Sequence, residues 1–271
     1  MNAASFPLPG PLATLRAEPL WRRVDVLSDL HLSPALPRTV ERLREHLAAT
    51  PADAVFLLGD IFEAWIGDDV RWVPDSFEQQ CMSLLRDAAR RTRLFFMHGN
   101  RDFMLGPAMA YDAGLTVLDD PTRLEAFGRR WLLSHGDLLC VDDVGYQRAR
   151  AVVRRPWVKA LLLALPLSAR RALARYLRGR SKANQQDPMQ WADVDPQACR
   201  DWLKAAGCDV LIHGHTHRPA DHDLGNGLRR VVLSDWDFDH AQRGDVLILD
   251  ATGLRRDAPM RTEAVRDRLR H

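Results

Sequence analysis

Cysteine is scarce in this 271-residue chain: Cys81, Cys140, Cys199 and Cys208 form no CxxC pair and suggest no disulfide framework. A reducing cytosol suits such a chain best, so a cytoplasmic location is expected. Long apolar runs are missing too. The longest, about Ala160–Leu167, falls far short of the ~18 residues of a membrane span. The first twenty residues carry Pro7, Pro9, Pro11 and Pro19 and lack a basic start followed by an apolar core. That argues against a signal peptide and predicts a loose N-terminal extension over residues 1–21. Aromatic residues are sparse at 7% and no nucleic-acid reading module is visible, so nucleic acid is not an expected partner. Finally, one long stretch lacks acid. Between Val144 and Gln186 there are eleven Lys or Arg and no Asp or Glu, which leaves 27 basic and 36 acidic residues elsewhere. The net charge of +2 therefore conceals a basic block on an acidic body, the signature of a surface that meets anions.

What is present reads as an α/β core. Apolar content of 46% is ordinary for a globular protein, and the length suits one large domain with an insertion. Apolar strands over Val24–Leu27, Val55–Leu58 and Leu94–Met97 alternate with helices over Pro37–Ala49 and Ser76–Arg91. After Leu115 the pattern changes. Leu124–Phe127 and Arg130–Leu133 flank Gly128-Arg129 as a hairpin, and Val210–Ile212, Val231–Leu233 and Val246–Leu249 read as further short strands. Two mixed sheets facing each other with helices outside are the simplest architecture. The expected organisation is a core over residues 22–143 and 183–255, a basic amphipathic insertion over 144–182 acting as a lid, and a tail over 256–271. Within the insertion, Trp157, Val158, Leu161, Leu162 and Leu165 fall at helical spacing, and so do Leu173, Tyr176 and Leu177. Two short helices are expected there.

The chemistry sits where strands give way to loops. Asp29-Leu30-His31, Gly59-Asp60, Gly99-Asn100-Arg101-Asp102, His135-Gly136-Asp137 and His213-Gly214-His215-Thr216-His217 each follow an apolar run. Strands that end together deliver their loops to one sheet edge, where open α/β folds bind ligands. The loops offer carboxylates, an amide and imidazoles, donors that suit Mn, Fe and Zn. A pair of such ions shares a carboxylate, activates water and neutralises phosphate oxygens. In an extended segment Asp29 and His31 project to one side, as do His215 and His217. Asp60 ends a separate strand and is free to lie between two ions, and Asn100 and His135 complete the set.

The order Asp-x-His, Gly-Asp, Gly-Asn-Arg-Asp, His-Gly-Asp, Gly-His-x-His resembles the calcineurin-like metallophosphoesterase superfamily. Residues 59–69 (GDIFEAWIGDD), Arg154-Arg155-Pro156-Trp157 with Leu163–Leu167, and His213–Pro219 are more specifically similar to the UDP-2,3-diacylglucosamine pyrophosphohydrolase family of lipid A biosynthesis. The resemblance implies a hydrolase carrying two Mn²⁺, one held by Asp29, His31, Asp60 and His217 and the other by Asp60, Asn100, His135 and His215. It implies water attack on the α-phosphorus of UDP-2,3-diacylglucosamine, giving UMP and 2,3-diacylglucosamine 1-phosphate. It also implies substrate contacts from Asn100, Arg101, Asp143, Ser181, Asn184 and His215, a monomer, and a peripheral position on the cytoplasmic face of the inner membrane. One departure stands out: three residues after Asn184 the family has Lys where this chain has Asp187, with Lys182 the nearest substitute.

Several residues carry two readings. Arg101 stays charged and cannot be a general acid. It either grips phosphate oxygens or pairs structurally with Asp102. Asp102 and Asp137 either orient metal ligands or make ordinary loop hydrogen bonds. Trp65 and Tyr146 either shape the pocket or pack in the core. The insertion either lies against an anionic membrane and acyl chains or packs as a helical hairpin with a solvated basic face. Two rival functions also stand: hydrolysis of a soluble nucleotide or nucleotide sugar, and a non-catalytic membrane- or protein-binding scaffold on the same fold.

Overall fold

A computed structural model describes residues 5–184 and 193–261. Its first half alternates strands and helices: β1 (Ala13–Arg16), β2 (Arg23–Leu27), α1 (Pro37–Ala49), β3 (Ala54–Leu58), α2 (Phe77–Ala89), β4 (Arg93–Met97), α3 (Pro107–Ala113) and β5 (Leu115–Leu118). A hairpin, β6 (Thr122–Ala126) and β7 (Arg129–Ser134), then leads into α4 (Val144–Val153), α5 (Pro156–Ala164) and α6 (Leu167–Asn184). The chain closes with α7 (Pro196–Ala206), β8 (Val210–His213), β9 (Ala220–Gly225), β10 (Leu228–Val232), β11 (Val246–Asp250) and β12 (Gly253–Asp257).

The two sheets are both mixed and face each other. One runs β1-β6-β7-β8-β10-β9, the other β12-β11-β2-β3-β4-β5. Strand β3, Ala-Val-Phe-Leu-Leu, is buried along its whole length, as a central parallel strand covered on both faces should be. Alternation sends Val24, Val26, Phe56 and Leu58 towards Leu133, Ile212 and Val231 of the opposite sheet. It sends Leu27, Val55 and Leu57 outwards to Leu43 of α1 and Leu85 of α2. Helix α7 covers the other sheet through Cys199, Trp202 and Leu203 against Leu132 and Leu211. Helix starts follow their caps: Ser76 accepts from Gln79 N at 3.2 Å, and Asp195 accepts from Ala198 N at 2.7 Å.

Register fixes the site. Leu27 pairs with Leu57, Leu58 with Met97, and Ser134 with His213, all in parallel. The loops carrying Asp29, Asp60, Asn100, His135 and His215 therefore leave the sandwich at one edge.

Four expectations need correction. Residues 13–16 are not a loose extension but strand β1, paired in parallel with β6, and Trp21 is buried between the sheets. At the other end β12 runs through Asp257, and Met260 N donates to His46 Nδ1 at 3.2 Å. The hairpin turn is Phe127-Gly128, with φ of 55° and 72°, the conformation that two-residue hairpin loops require. Phe127 accepts it because its ring packs against the core between the sheets. The insertion contains three helices rather than two. Pro156 and Pro166 lack the amide that would continue a preceding helix, so each starts a new segment.

Candidate metal centre

Two clusters of donor atoms form at that edge: Asp29, His31 and His217, and Asp60, His135 and His215. In the first, His31 Nε2 lies 3.2 Å from His217 Nε2, and His217 Nε2 lies 3.3 Å from Asp29 Oδ1. In the second, His135 Nε2 is 3.8 Å from Asp60 Oδ1. Asn100 Oδ1 joins that group, 3.1 Å from His135 Nε2 and 3.0 Å from His215 Nδ1. Asp29 Oδ1 is buried without a hydrogen-bond partner, a costly state unless something positive meets it. The seven side chains thus converge as two donor sets that fit divalent cations.

The convergence is not achieved as sequence periodicity suggests. Asp29 and His31 are not extended; their φ angles are 53° and 47°. Asp60, His215 and His217 share this left-handed backbone, at 53°, 67° and 52°. Non-glycine residues rarely adopt it, and such strain gathers at functional sites. Five of the seven donors pay this cost while facing one another.

Backbone contacts hold the loops in place. His31 N donates to Asp60 O at 3.0 Å and Leu32 N to Ile61 O at 2.9 Å, so the loops after β2 and β3 remain zipped past the sheet. Asp102 accepts from Gly99 N at 2.8 Å and Ile61 N at 2.7 Å. It therefore joins the Asp60 and Asn100 loops instead of pairing with Arg101. The Arg101 amide donates to Asp60 Oδ1 at 2.8 Å, while its Nε is buried and unpartnered. Gly214 permits the closest approach of all. A Cβ there would run into Ser28 Oγ and Asp29 Oδ2. Gly214→Ala is expected to cost roughly 1–3 kcal/mol through overpacking, read as a lower Tm. An unchanged Tm would mean that Asp29 yields without penalty.

The electrostatics are those of a site built for cations. Burial alone would raise the Asp29 carboxyl, but His217, His135 and His31 hold it well below the ordinary carboxylate range. Burial disfavours a charged His135, yet Asp60, Asp137 and Asp29 push its pKa up to about 9. His215 is lowered to about 4 by burial and by His135. Asp102 is raised to about 7 by burial and by repulsion from Asp60. Crowded carboxylates whose charge is balanced by a protonated imidazole are what bound cations would relieve.

The insertion closes on the same loops. Asp137 Oδ2 accepts from Tyr146 Oη at 2.7 Å and Arg150 Nε at 2.6 Å of α4. Arg154 donates to Gly99 O at 2.8 Å and Lys159 to Phe103 O at 2.6 Å. In α6, the buried Arg170 donates to Asp69 Oδ1 at 2.8 Å and Ile66 O at 2.6 Å. Helix α6 is thus inverted relative to a soluble surface helix: Arg170, Ala174 and Arg178 face inwards, while Leu173, Tyr176 and Leu177 are exposed. The basic residues of the insertion are divided, Arg170 and Arg178 turning inwards while Arg148, Arg155, Arg171 and Arg175 stay exposed. Tyr146 also stands 5.9 Å from the His215 ring, at the site, whereas Trp65 is a core residue at 2% exposure. Asp143 caps α4 by accepting from Tyr146 N at 2.8 Å. The side chains of Ser181, Lys182 and Asn184, and all of Asp187, lie outside the described residues.

Sequence reasoning missed Glu63, whose Oε2 lies 3.2 Å from His31 Nδ1, and Asp235, 3.8 Å from His217 Nδ1. Glu63 stood within the eleven-residue string at 59–69, but nothing in its spacing assigns it a partner.

Comparison with known proteins agrees with this geometry. The family model for calcineurin-like phosphoesterases matches residues 22–219. A UDP-2,3-diacylglucosamine hydrolase of Bordetella parapertussis is 45% identical over 244 residues, covering 87% of this chain and 93% of that protein. The protein of the same name from Chromobacterium violaceum is 44% identical over 237 residues, covering 86% and 97%. That of Xanthomonas oryzae pv. oryzae is 42% identical over 241 residues, covering 84% and 95%.

Proposed function

Since the chain belongs to the calcineurin-like phosphoesterases and, among them, to the UDP-2,3-diacylglucosamine hydrolases, we propose that it cleaves the pyrophosphate bond of UDP-2,3-diacylglucosamine. Water attacks the α-phosphorus, the bridging P–O bond breaks, and UMP and 2,3-diacylglucosamine 1-phosphate leave. Asp29, His31, Asp60 and His217, and Asp60, Asn100, His135 and His215, would hold two Mn²⁺, which would supply the charge that polarises phosphate and activates water. The observation that carries this reading is the inverted polarity of α6, apolar side outwards, in an insertion anchored to the loops of a two-metal donor set.

Arg101 fits a pyrophosphate substrate. The departing group is a phosphate whose second pKa is near ~6, so it leaves without being given a proton. A permanently charged guanidinium beside Asn100 then serves by gripping phosphate oxygens. Asn100 and His215 face the same phosphates, and Asp143, Ser181 and Asn184 are assigned to the sugar, uridine and lid side of the substrate. The exposed apolar face of α5 and α6, with basic neighbours, suits acyl chains and the anionic cytoplasmic surface of the inner membrane. No helix among the described residues is long and apolar enough to cross a membrane, in keeping with a peripheral mode. The enzyme works as a monomer in this reading.

The test is Mn²⁺-dependent release of UMP from UDP-2,3-diacylglucosamine, with UDP-N-acetylglucosamine run beside it. Release from the acylated substrate alone is expected. Cleavage of the soluble sugar at equal rate would keep the metal chemistry and overturn the lipid assignment.

A further inference from the structure

Three of the proposed imidazole ligands turn their second ring nitrogen towards an oxygen. His135 Nδ1 donates to Leu58 O at 2.9 Å. His217 Nδ1 lies 3.8 Å from Asp235 Oδ2, and Asp235 in turn accepts from Arg243 of its own loop at 2.8 Å. Both arrangements are made without the insertion, by residues that lie outside α4, α5 and α6. The third is not. Glu63 turns Oε2 to His31 Nδ1 at 3.2 Å and Oε1 to Arg178 Nε at 2.8 Å, and Arg178 belongs to α6 of the insertion.

The placement of Glu63 is fixed from both sides. Its amide donates to Leu32 O at 3.1 Å, and Leu32 bridges to Phe62, so the backbone of Glu63 travels with that of His31. Arg178 lies eight residues from Arg170, about two helical turns along the same face. The Asp69–Arg170 pair therefore sets where Arg178 arrives. Both acidic partners, Glu63 and Asp69, come from the one loop that follows β3.

We propose that Glu63 is a positioning residue that ties His31 to helix α6, so that metal uptake at Asp29, His31 and His217 and seating of the insertion strengthen each other. This rests on the metal reading given above. A carboxylate facing Nδ1 at this distance favours the Nδ1–H tautomer and with it an Nε2 lone pair that faces Asp29 Oδ1 and His217. Arg178 keeps that carboxylate from swinging into solvent. Any such coupling is reciprocal: if the seated helix favours the metal, the metal favours the seated helix by the same factor.

The test uses the full chain, stripped with chelator and titrated with Mn²⁺ alone by calorimetry, with hydrogen exchange of residues 167–179 followed in the same samples. The wild type should take up two ions and slow exchange in α6 as it does so. Glu63→Gln should weaken one ion by about 10–100-fold and abolish the effect of Mn²⁺ on α6 exchange. Arg178→Gln should weaken the same ion by less, and Arg178→Lys should restore most of the loss. The double variant Glu63→Gln/Arg178→Gln should bind no worse than Glu63→Gln alone. Wild-type affinity in Glu63→Gln, independent addition of the two losses, or α6 exchange indifferent to Mn²⁺ would each overturn the proposal while the metal reading stands. A wild type that takes up no Mn²⁺ would overturn both.

Discussion

Asp60→Asn is expected to lower kcat by at least about 10³-fold while leaving the metal-free protein about as stable as the wild type. Losing one preorganised charge-stabilising contact typically costs on the order of 10²–10³ in kcat. Asp60 is proposed to serve both ions, so its loss should exceed that range, corresponding to about 4 kcal/mol or more in the barrier. The stability half follows from crowding. Asp60 is 2% exposed, and its charge is one cause of the upward shift of Asp102 to about 7. Without cations Asp60 repels the buried Asp102 but attracts the buried His135, so a neutral amide at position 60 removes a repulsion and an attraction together. Asn keeps an acceptor for the Arg101 amide, now held at 2.8 Å. Thermal unfolding should accordingly show a Tm for the metal-free variant close to that of the metal-free wild type. The Tm increase that Mn²⁺ gives the wild type should be reduced or lost, because that gain measures binding to the native state alone. Retention of more than a tenth of wild-type turnover by a well-folded variant would remove Asp60 from the metal centre.

The strands could be read because their residues alternate or run apolar in short blocks, and parallel strands that end in register must share an edge. That reasoning pointed to the seven side chains that the structure brings together at that edge. It gave the wrong reason for their convergence. A left-handed Asp29 or His31 leaves no trace in hydrophobic periodicity, since the conformation is imposed by contacts such as His31 N to Asp60 O. Nor could it assign Asp102, whose role depends on two amides, Gly99 and Ile61, lying 38 residues apart in sequence. The packing of the insertion is hidden from the sequence for a related reason. Its basic residues divide in a way that charge counting cannot show: Arg150, Arg154, Lys159, Arg170 and Arg178 turn inwards to carboxylates and carbonyls, while Arg148, Arg155, Arg171 and Arg175 stay exposed. A helical wheel shows which residues share a face; only the partner decides which face is inside.

That inversion yields the second large effect. Trp157, Leu161, Tyr176 and Leu177 are between 55% and 62% exposed. Changing all four to Gln should therefore leave the fold nearly untouched, since surface substitutions of this kind usually move stability by under about 0.5 kcal/mol each. Their contribution should appear on contact with lipid. Full burial of such side chains is worth ~1.5–3 kcal/mol each. With more than half of each still accessible, roughly 1 kcal/mol apiece is available, so the four together are worth about 10³-fold in partitioning. Co-sedimentation with vesicles containing phosphatidylglycerol should fall by that factor, and KM for the diacylated substrate should rise at least about tenfold with kcat little changed. The exposed Arg148, Arg155, Arg171 and Arg175 add a second, separable component of about 1 kcal/mol each near an anionic surface. That component fades as salt shortens the screening length, whereas the apolar one does not. High salt should therefore weaken the wild type only partly and reduce the four-Gln variant to no binding. Vesicle binding by the four-Gln variant equal to wild type at every salt concentration would assign the exposed apolar face to something other than lipid.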